Sequence, residues 1–268
     1  MNNLPATVQK VLDEHLKLLE TKLPNFLESY YLFGSIALGS FNEGHSDIDF
    51  MIVTYREPTE KDLQTLKEIH SELNKGFPSI HLDGIYLTNK QLENLGDNQF
   101  QTPYFNEGQY IGNKQLNKNH IDFFQLKKYG LVIKGKEIKA YSFEVDWDVL
   151  SANIVQNLNE YWLHWRLKAG KKFSLNYLSM LFQLESIEWG VLGVTRLYYS
   201  LREKDITSKI GAGEYALKAV PSKWHNIIQE SMRIRKNEKK SYYLSPFKRR
   251  REALDYMDFV IREMNRVN

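Results

Sequence analysis

The chain has 268 residues, 42% of them hydrophobic and 26% charged, which is typical of a globular protein of one or two domains. The formal charge of +3 is too balanced to indicate a nucleic-acid binder, and the absence of cysteine excludes disulfides and thiolate metal sites. No apolar stretch approaches the ~18 residues of a membrane span and the first residues do not resemble a secretory signal, so we expect a cytoplasmic protein.

The first half of the chain alternates between strand-like and helix-like patterns. The patterns predict helices over 6–22 and 62–73, and strands over 30–33, 47–53, 80–87 and 131–135. Residues 91–125 are rich in Asn, Gln and Gly and have no clear period, so we expect loops and short pieces there.

The second half of the chain has apolar residues at helical spacing throughout. It predicts helices over 148–169, 174–202, 206–218, 221–236 and 246–266. The sequence therefore predicts an α+β protein with an α/β domain and a small mixed sheet over 1–145, followed by a helical bundle over 146–268.

A Gly-Ser pair and three aspartates are the candidate functional residues of the first domain. An apolar run ends at Gly34-Ser35, and Asp47-x-Asp49 opens the next strand. Residues two apart on a strand share a face, so the two carboxylates lie side by side, and Asp83 belongs to the third predicted strand. Adjacent carboxylates are oxygen ligands for a hard cation such as Mg²⁺.

Two ordinary interpretations of these aspartates stay open at this point. Asp47 and Asp49 alone could be solvated carboxylates at a strand edge, and Asp83 could be a turn residue beside Gly84. The chain also contains Asp146-Trp147-Asp148, which has no Gly-Ser pair and no strand around it. We interpret that second Asp-x-Asp as a loop that leads into a helix, so the pattern alone is weakly specific.

The order strand, Gly34-Ser35, short helix, Asp47-Ile48-Asp49, strand resembles the signature of the polymerase β-type nucleotidyltransferase superfamily. In that superfamily a third carboxylate comes from a later strand, a place that Asp83 takes here. The resemblance implies transfer of a nucleotidyl group to a hydroxyl, with ATP as co-substrate and two Mg²⁺ ions as cofactors. It implies catalytic and metal-binding roles for Asp47, Asp49 and Asp83, and nucleotide-binding roles for Gly34, Ser35 and Ser46.

The helical half resembles one subgroup of this superfamily. Residues 188–200 and 206–216 resemble the helical domain of the aminoglycoside adenylyltransferases that modify streptomycin and spectinomycin. The resemblance implies that Arg196 and Lys209 contact the ATP phosphates, so the first domain is the nucleotidyltransferase domain and the second binds substrate and nucleotide. Without the resemblance, we would interpret Arg196 as part of an ion pair between helices and Lys209 as a solvated surface lysine.

Several positions depart from the pattern of that subgroup. Its third carboxylate is usually a glutamate, whereas this chain has Asp83, and its phosphate-contacting tyrosine has no clear equivalent in residues 232–236. Its drug-contacting positions fall near residues 185–189, where the residue types match poorly. The resemblance therefore implies the reaction type more strongly than it implies the substrate.

The acceptor is inferred from one helical stripe. Glu185, Glu188 and Trp189 share a helix face with Arg196, which would place acidic and aromatic groups near a phosphate-binding cation. Such a stripe suits a small cationic acceptor, so the predicted function is transfer of AMP from Mg·ATP to a hydroxyl of an aminoglycoside or aminocyclitol antibiotic. The alternative is that Trp189 belongs to the core and that both glutamates are solvated.

Two other functions remain open from the sequence. One is a nucleotidyltransferase that acts on a protein or RNA, in which the basic clusters 233–236 and 248–251 bind phosphates of the acceptor. The glutamates among these basic residues instead favour the interpretation that both clusters are solvated helix faces. The other is a nucleotide-binding toxin-partner protein without transferase activity. No membrane partner is expected, nucleic acid is not favoured, and the sequence indicates no oligomeric state.

Overall fold

A computed structural model of the chain describes residues 4–96, 100–116 and 120–267. The chain divides into two compact units, Met1–Asp146 and Trp147–Asn268. The sequence-based boundary between residues 145 and 146 differs from this division by one residue.

The N-terminal unit is built on a six-stranded mixed sheet with the strand order β5-β4-β3-β2-β1-β6. Its elements are α1 (Ala6–Lys22), β1 (Leu27–Leu32), α2 (Gly34–Ala37), β2 (Ile48–Thr54), α3 (Glu60–Gly76), β3 (Leu82–Thr88), α4 (Asn89–Glu93), β4 (Gln101–Asn106), β5 (Gln109–Gln115), α5 (Ile121–Tyr129), β6 (Leu131–Lys134) and a 3₁₀ turn (Ile138–Ala140). Strands β2 and β3 are parallel and the other described pairs are antiparallel. A parallel pair needs a crossover, and α3 supplies it.

The alternation of side chains along β2 determines which face of the sheet carries Asp49. Ile48, Phe50 and Ile52 belong to the hydrophobic cluster that includes α1 and α3. Met51 belongs to a second cluster, which includes residues of α5. Because alternate residues of a strand point to opposite faces, Asp49 lies on the same face as Met51.

The expectation of loops and short pieces over residues 91–125 is wrong for the described part of that range. It contains the hairpin of β4 and β5 as well as α5, while residues 97–99 and 117–119 lie outside the described residues. The edge strand β5 alternates only between exposed and half-buried positions and is rich in polar residues. An edge strand with no fully buried face lacks the alternation of polar and apolar residues by which strands are recognised.

The C-terminal unit is helical, and its fold confirms the predicted α+β class. Its elements are α6 (Trp147–Asn157), a π-helical turn (Leu158–Trp162), α7 (Leu163–Gly170), α8 (Leu175–Phe182), α9 (Leu184–Glu203), α10 (Lys209–Ala219), a 3₁₀ turn (Ser222–Trp224), α11 (His225–Arg235) and α12 (Pro246–Val267). The single helix predicted over 174–202 is divided at Gln183, which is extended. Helix α9 packs against α10, α11 and α12. No helix in the described ranges is long and apolar enough to cross a membrane.

Two histidines and two tyrosines form a polar network inside the first core. His15 is completely buried between the hydroxyls of Tyr30, 2.9 Å from Nδ1, and Tyr86, 3.0 Å from Nε2. His70 Nε2 lies 2.9 Å from the same Tyr86 hydroxyl. Burial lowers the pKa of His15 to about 3, and burial, followed by the repulsion that two protonated imidazoles would exert on each other, lowers the pKa of His70 well below its usual value. Both imidazoles are therefore neutral in the folded protein.

This network predicts that the protein loses stability in mild acid. Both pKa values are lower in the folded than in the unfolded chain, so the stabilisation is present above the ordinary histidine pKa of about 6.5 and is lost as the pH falls below it. We expect the free energy of unfolding, measured with urea, to fall by about 2 kcal/mol per histidine between pH 7 and pH 5. A free energy of unfolding that is constant over this range would contradict the prediction.

Candidate functional site

The Gly34-Ser35 turn brings the backbone directly against Asp49. Gly34 has a φ of +65°, and a Cβ atom at this position would lie 1.6 Å from Asp49 Oδ2. Any other residue would therefore strain the backbone and collide with the carboxylate. Gln125 of α5 donates a hydrogen bond of 3.0 Å to the Gly34 carbonyl and supports the turn from the other side. The glycine of the motif is thus required by contact with the aspartate of the next strand.

Two serines near the turn differ in their hydrogen bonding. The Ser35 hydroxyl is buried and has no hydrogen-bond partner among the described residues, an arrangement that costs stability unless a ligand supplies the partner. Ser46 Oγ accepts a hydrogen bond of 3.2 Å from the N–H of Asn42, and the Ser46 N–H donates to the Asn42 carbonyl at 2.9 Å. Ser46 therefore closes the turn before Asp47, and its predicted contact with a nucleotide stays a prediction.

Asp49 and Asp83 are direct neighbours in the parallel register of β2 and β3. A Cβ atom on Gly84 would lie 2.0 Å from the Phe50 carbonyl oxygen, so glycine permits the close approach of the two strands. Asp83 lies within β3, which rules out its interpretation as a turn residue. The strand order thus brings Asp83 to the carboxylates of Asp47-x-Asp49.

The pKa of Asp83 reflects its burial and its closeness to other carboxylates. Burial, followed by the negative charge of Asp47, raises the pKa of Asp83 to about 6, whereas the Glu107 N–H, which donates to Asp83 Oδ1 at 2.5 Å, opposes the rise. Within the described ranges, no three acidic or histidine side chains are arranged to hold a metal ion. The donor chemistry of the three aspartates nevertheless fits Mg²⁺, because carboxylates offer oxygen atoms and a cation would relieve the repulsion between neighbouring carboxylates. The metal-binding role of Asp47, Asp49 and Asp83 stays a prediction.

A pocket of about 130 Å³ opens beside the carboxylates on the α5 face of the sheet. Asp49 and Asp83 line it together with Tyr104, His120 and Asp122, and its other walls include Met51, Ile85, Phe123 and Leu126. His120 Nδ1 lies 3.1 Å from an Asp122 carboxylate oxygen. Burial, followed by the charges of Asp83, Asp122 and Asp49, raises the pKa of Tyr104. The pocket is smaller than a site for a whole drug-sized ligand and suits one ring or substituent of it.

The sequence alone did not point to Tyr104, His120 and Asp122 as site residues. All three belong to residues 91–125, where loops and short pieces were expected. One usable signal was present: His120 precedes the apolar residues of α5 and accepts a hydrogen bond from the Asp122 N–H as the cap of that helix. Which face of the sheet this helix covers depends on the tertiary fold.

In the C-terminal unit, the predicted substrate and phosphate residues lie around α9. Lys209 Nζ lies 2.9 Å from Glu188 Oε1 and 5.1 Å from the ring centre of Trp189. Glu188 is buried, whereas Glu185, Trp189 and Arg196 are exposed. The predicted acceptor contacts therefore remain predictions for Glu185 and Trp189. Glu188 instead forms an ion pair with Lys209.

The two basic clusters are not uniformly solvated. Arg233 and Arg249 are buried and both contact the fully buried Glu230, at 2.9 Å and 3.4 Å. The expectation that these clusters are solvated helix faces is therefore wrong for both arginines. Because these two side chains are occupied inside the protein, the clusters lose part of the charge that an RNA or protein acceptor would need.

Comparison with known proteins identifies the class of each unit. Residues 12–97 match the family described as nucleotidyltransferase domain, and residues 185–258 match the family described as aminoglycoside adenylyltransferase, C-terminal domain. The chain thus contains a polymerase β-type nucleotidyltransferase domain over residues 12–97 and an aminoglycoside adenylyltransferase C-terminal domain over residues 185–258.

A similar solved structure is that of spectinomycin adenyltransferase AAD(9) from Enterococcus faecialis with ATP and spectinomycin. It is 16% identical in sequence, with a TM-score of 0.68 over 95% of this chain and 99% of that chain. At this identity the likeness shows the fold. No curated protein matches the chain.

Proposed function

We propose that the protein is an adenylyltransferase that moves AMP from Mg·ATP to a hydroxyl of a small cationic acceptor, an aminoglycoside or aminocyclitol, and releases pyrophosphate. The contact of Asp49 with the Gly34 turn, opposite Asp83 in the sheet, is the observation that carries the proposal. The nucleotidyltransferase family of the first unit supports the reaction type. The name of AAD(9) and the family of the second unit support the acceptor class.

In the proposed reaction, residues of the N-terminal unit would hold the metal ions and one phosphate oxygen. Asp47, Asp49 and Asp83 would hold two Mg²⁺ ions, which when bound neutralise phosphate charge and stabilise the attacking and leaving oxygens. The buried Ser35 hydroxyl, which lacks a partner in the described protein, would donate a hydrogen bond to a phosphate oxygen. The acceptor hydroxyl attacks the α-phosphorus in line with the leaving pyrophosphate. Asp83 either completes the metal site or accepts the proton of that hydroxyl.

Charge on the leaving group would be balanced by the C-terminal unit. Arg196 and Lys209 would bind the β- and γ-phosphates, so they stabilise the charge that develops on pyrophosphate as the bond to the α-phosphorus breaks. The acceptor would enter the pocket beside Asp83, where apolar walls and the carboxylate of Asp122 suit an amine-bearing ring.

The pocket makes a specific prediction about Asp122. We expect Asp122→Asn to raise KM for an amine-bearing acceptor by about 10-fold, because it removes a charge-assisted hydrogen bond, and to leave KM for ATP unchanged. Steady-state kinetics with each substrate varied in turn provide the measurement. Glu137→Gln, which removes an exposed carboxylate outside the pocket, is the matched control. Equal effects on both KM values, or none on the acceptor, would rule out this acceptor pocket.

The decisive experiment for the function is pyrophosphate release from Mg·ATP against a panel of streptomycin, spectinomycin, other aminoglycosides and lincosamides. Release with one drug class that is absent in Asp49→Asn would support the proposal and name the acceptor. Binding of ATP in calorimetry without release would direct the search to cellular acceptors. Failure to bind ATP at all would refute the proposed function.

A further inference from the structure

A cluster of charged side chains joins three helices of the C-terminal unit at Glu188. Lys209, the first residue of α10, approaches Glu188 Oε1 of α9 to 2.9 Å, and Arg235 Nε, at the end of α11, lies 3.9 Å from the same oxygen. Arg196 of α9 is near enough to lower the pKa of Lys209 by its charge. We call Glu188, Arg196, Lys209 and Arg235 the Glu188 cluster.

The Glu188 cluster concentrates positive charge, and three of its four side chains are poorly solvated, whereas Arg196 is exposed. The side chains of Lys209, Arg235 and Glu188 are only 14%, 12% and 8% exposed. Three cations and one carboxylate give these four side chains a formal charge of +2. Burial, which is opposed by Glu188 and reinforced by Arg196 and Arg235, lowers the pKa of Lys209. Grouping like charges away from water costs free energy, and a polyanion bound at the cluster would recover it.

The local backbone favours the same kind of ligand. Lys209 begins a helix of 11 residues, and the Ser208 side chain caps it by accepting a hydrogen bond from the Gly211 N–H at 3.0 Å. The N-terminus of a helix carries a partial positive charge that adds to that of the lysine. The distance between Arg235 Nε and Glu188 Oε1 is longer than that of a direct hydrogen bond, so this contact is an ion pair.

We propose that Arg235 is a third phosphate-binding side chain, which acts with Arg196 and Lys209 on the β- and γ-phosphates of ATP, and that Glu188 is a positioning residue for these cations rather than an acceptor ligand. This inference rests on the proposed function. Arginine suits the role because its planar guanidinium donates two parallel hydrogen bonds to phosphate oxygens.

The test compares nucleotides that differ only in their outer phosphates. In titration calorimetry we expect Arg235→Ala to weaken ATP binding by about 10- to 100-fold, because a charge-assisted hydrogen bond is lost, and to leave AMP binding within about twofold of wild type. Lys236→Ala removes the exposed cation next in sequence and is the matched control, with ATP affinity unchanged. Arg235→Lys restores part of the affinity, because it keeps the charge without the guanidinium fork.

The outcomes separate this inference from the proposed function. If Arg235→Ala binds ATP as wild type does, or loses ATP and AMP binding equally, Arg235 does not bind the outer phosphates and the inference is overturned, while transfer by the wild type still supports the function. If the wild type itself does not bind ATP, the proposed function is refuted, and so is this inference, which rests on it.

The role of Glu188 has its own readout. We expect Glu188→Gln to lower the pKa of Lys209 further, since the glutamate is the group that raises it, and to leave KM for the acceptor within about twofold. The titration of the ¹³C-methylated lysine, followed by NMR, measures the first quantity. A rise in the acceptor KM with an unchanged Lys209 pKa would make Glu188 a substrate ligand and overturn the positioning role.

Discussion

Replacement of Asp49 by asparagine is expected to lower the rate of adenylyl transfer by about 10³-fold or more while the protein stays folded. Asp49 lies against the Gly34 turn and beside Asp83, so its carboxylate is central to the proposed Mg²⁺ ligands. An amide of the same shape removes the negative charge, and loss of several kcal/mol of transition-state stabilisation corresponds to this factor. The measurement is pyrophosphate release under saturating ATP and acceptor.

The second Asp-x-Asp sequence of the chain provides an internal control. Asp148 is exposed in the first turn of α6, within the C-terminal unit, so Asp148→Asn is expected to keep full activity. The free energy of unfolding of Asp49→Asn should equal or exceed that of wild type, because one carboxylate of a crowded group has been neutralised. Transfer within 10-fold of wild type in Asp49→Asn would show that this carboxylate does not hold the metal.

The parts of the site that lie close together in the chain could be predicted from the sequence. Gly34 follows β1 and Asp49 lies at the start of β2, so the Gly-Ser pair and the Asp-x-Asp strand were enough to identify both as candidate residues, whereas their direct contact was not predicted. Asp83 required one further step, because β3 joins the sheet through the crossover helix α3. Helix α3 was predictable from the helical spacing of its apolar residues. Thr59 and Asp62 cap its N-terminus, because the side chain of each accepts a hydrogen bond from the backbone N–H of the other.

Contacts between distant segments of the chain could not be predicted from the sequence. Glu188, Lys209 and Arg235 meet only when three helices pack together. The periodicity of a sequence predicts a helix but does not show which faces of two helices come into contact. Burial of charge is similarly invisible in a sequence: Arg233 and Arg249 read as solvated basic residues, yet both lie against Glu230. The edge strand β5, which contributes Lys114 and Gln115 to the pocket wall, has no apolar face to reveal it.

Truncation of Glu230 is expected to destabilise the C-terminal unit strongly. Its carboxylate is completely buried and accepts hydrogen bonds from Arg233, from Ser241 at 2.8 Å and from the Tyr242 N–H at 3.0 Å. Burial works to raise the pKa of Glu230, but these hydrogen bonds hold it below its usual value. One residue therefore joins α11, the following loop and, through Arg249, helix α12.

Glu230→Ala leaves two buried arginines without this carboxylate, and breaking a buried ion pair from one side costs about 3–5 kcal/mol. The pair Glu263–Arg266 has the same i, i+3 spacing on a helix, but its arginine is 75% exposed. Glu263→Ala is therefore the matched control, with an expected loss of about 0.5 kcal/mol or less. Urea unfolding of both variants, followed by tryptophan fluorescence, measures the difference; all five tryptophans lie in the C-terminal unit. Equal losses would mean that burial of the Glu230 cluster contributes nothing beyond a surface ion pair, so the cooperative linking of α11 to α12 would have to come from apolar packing alone.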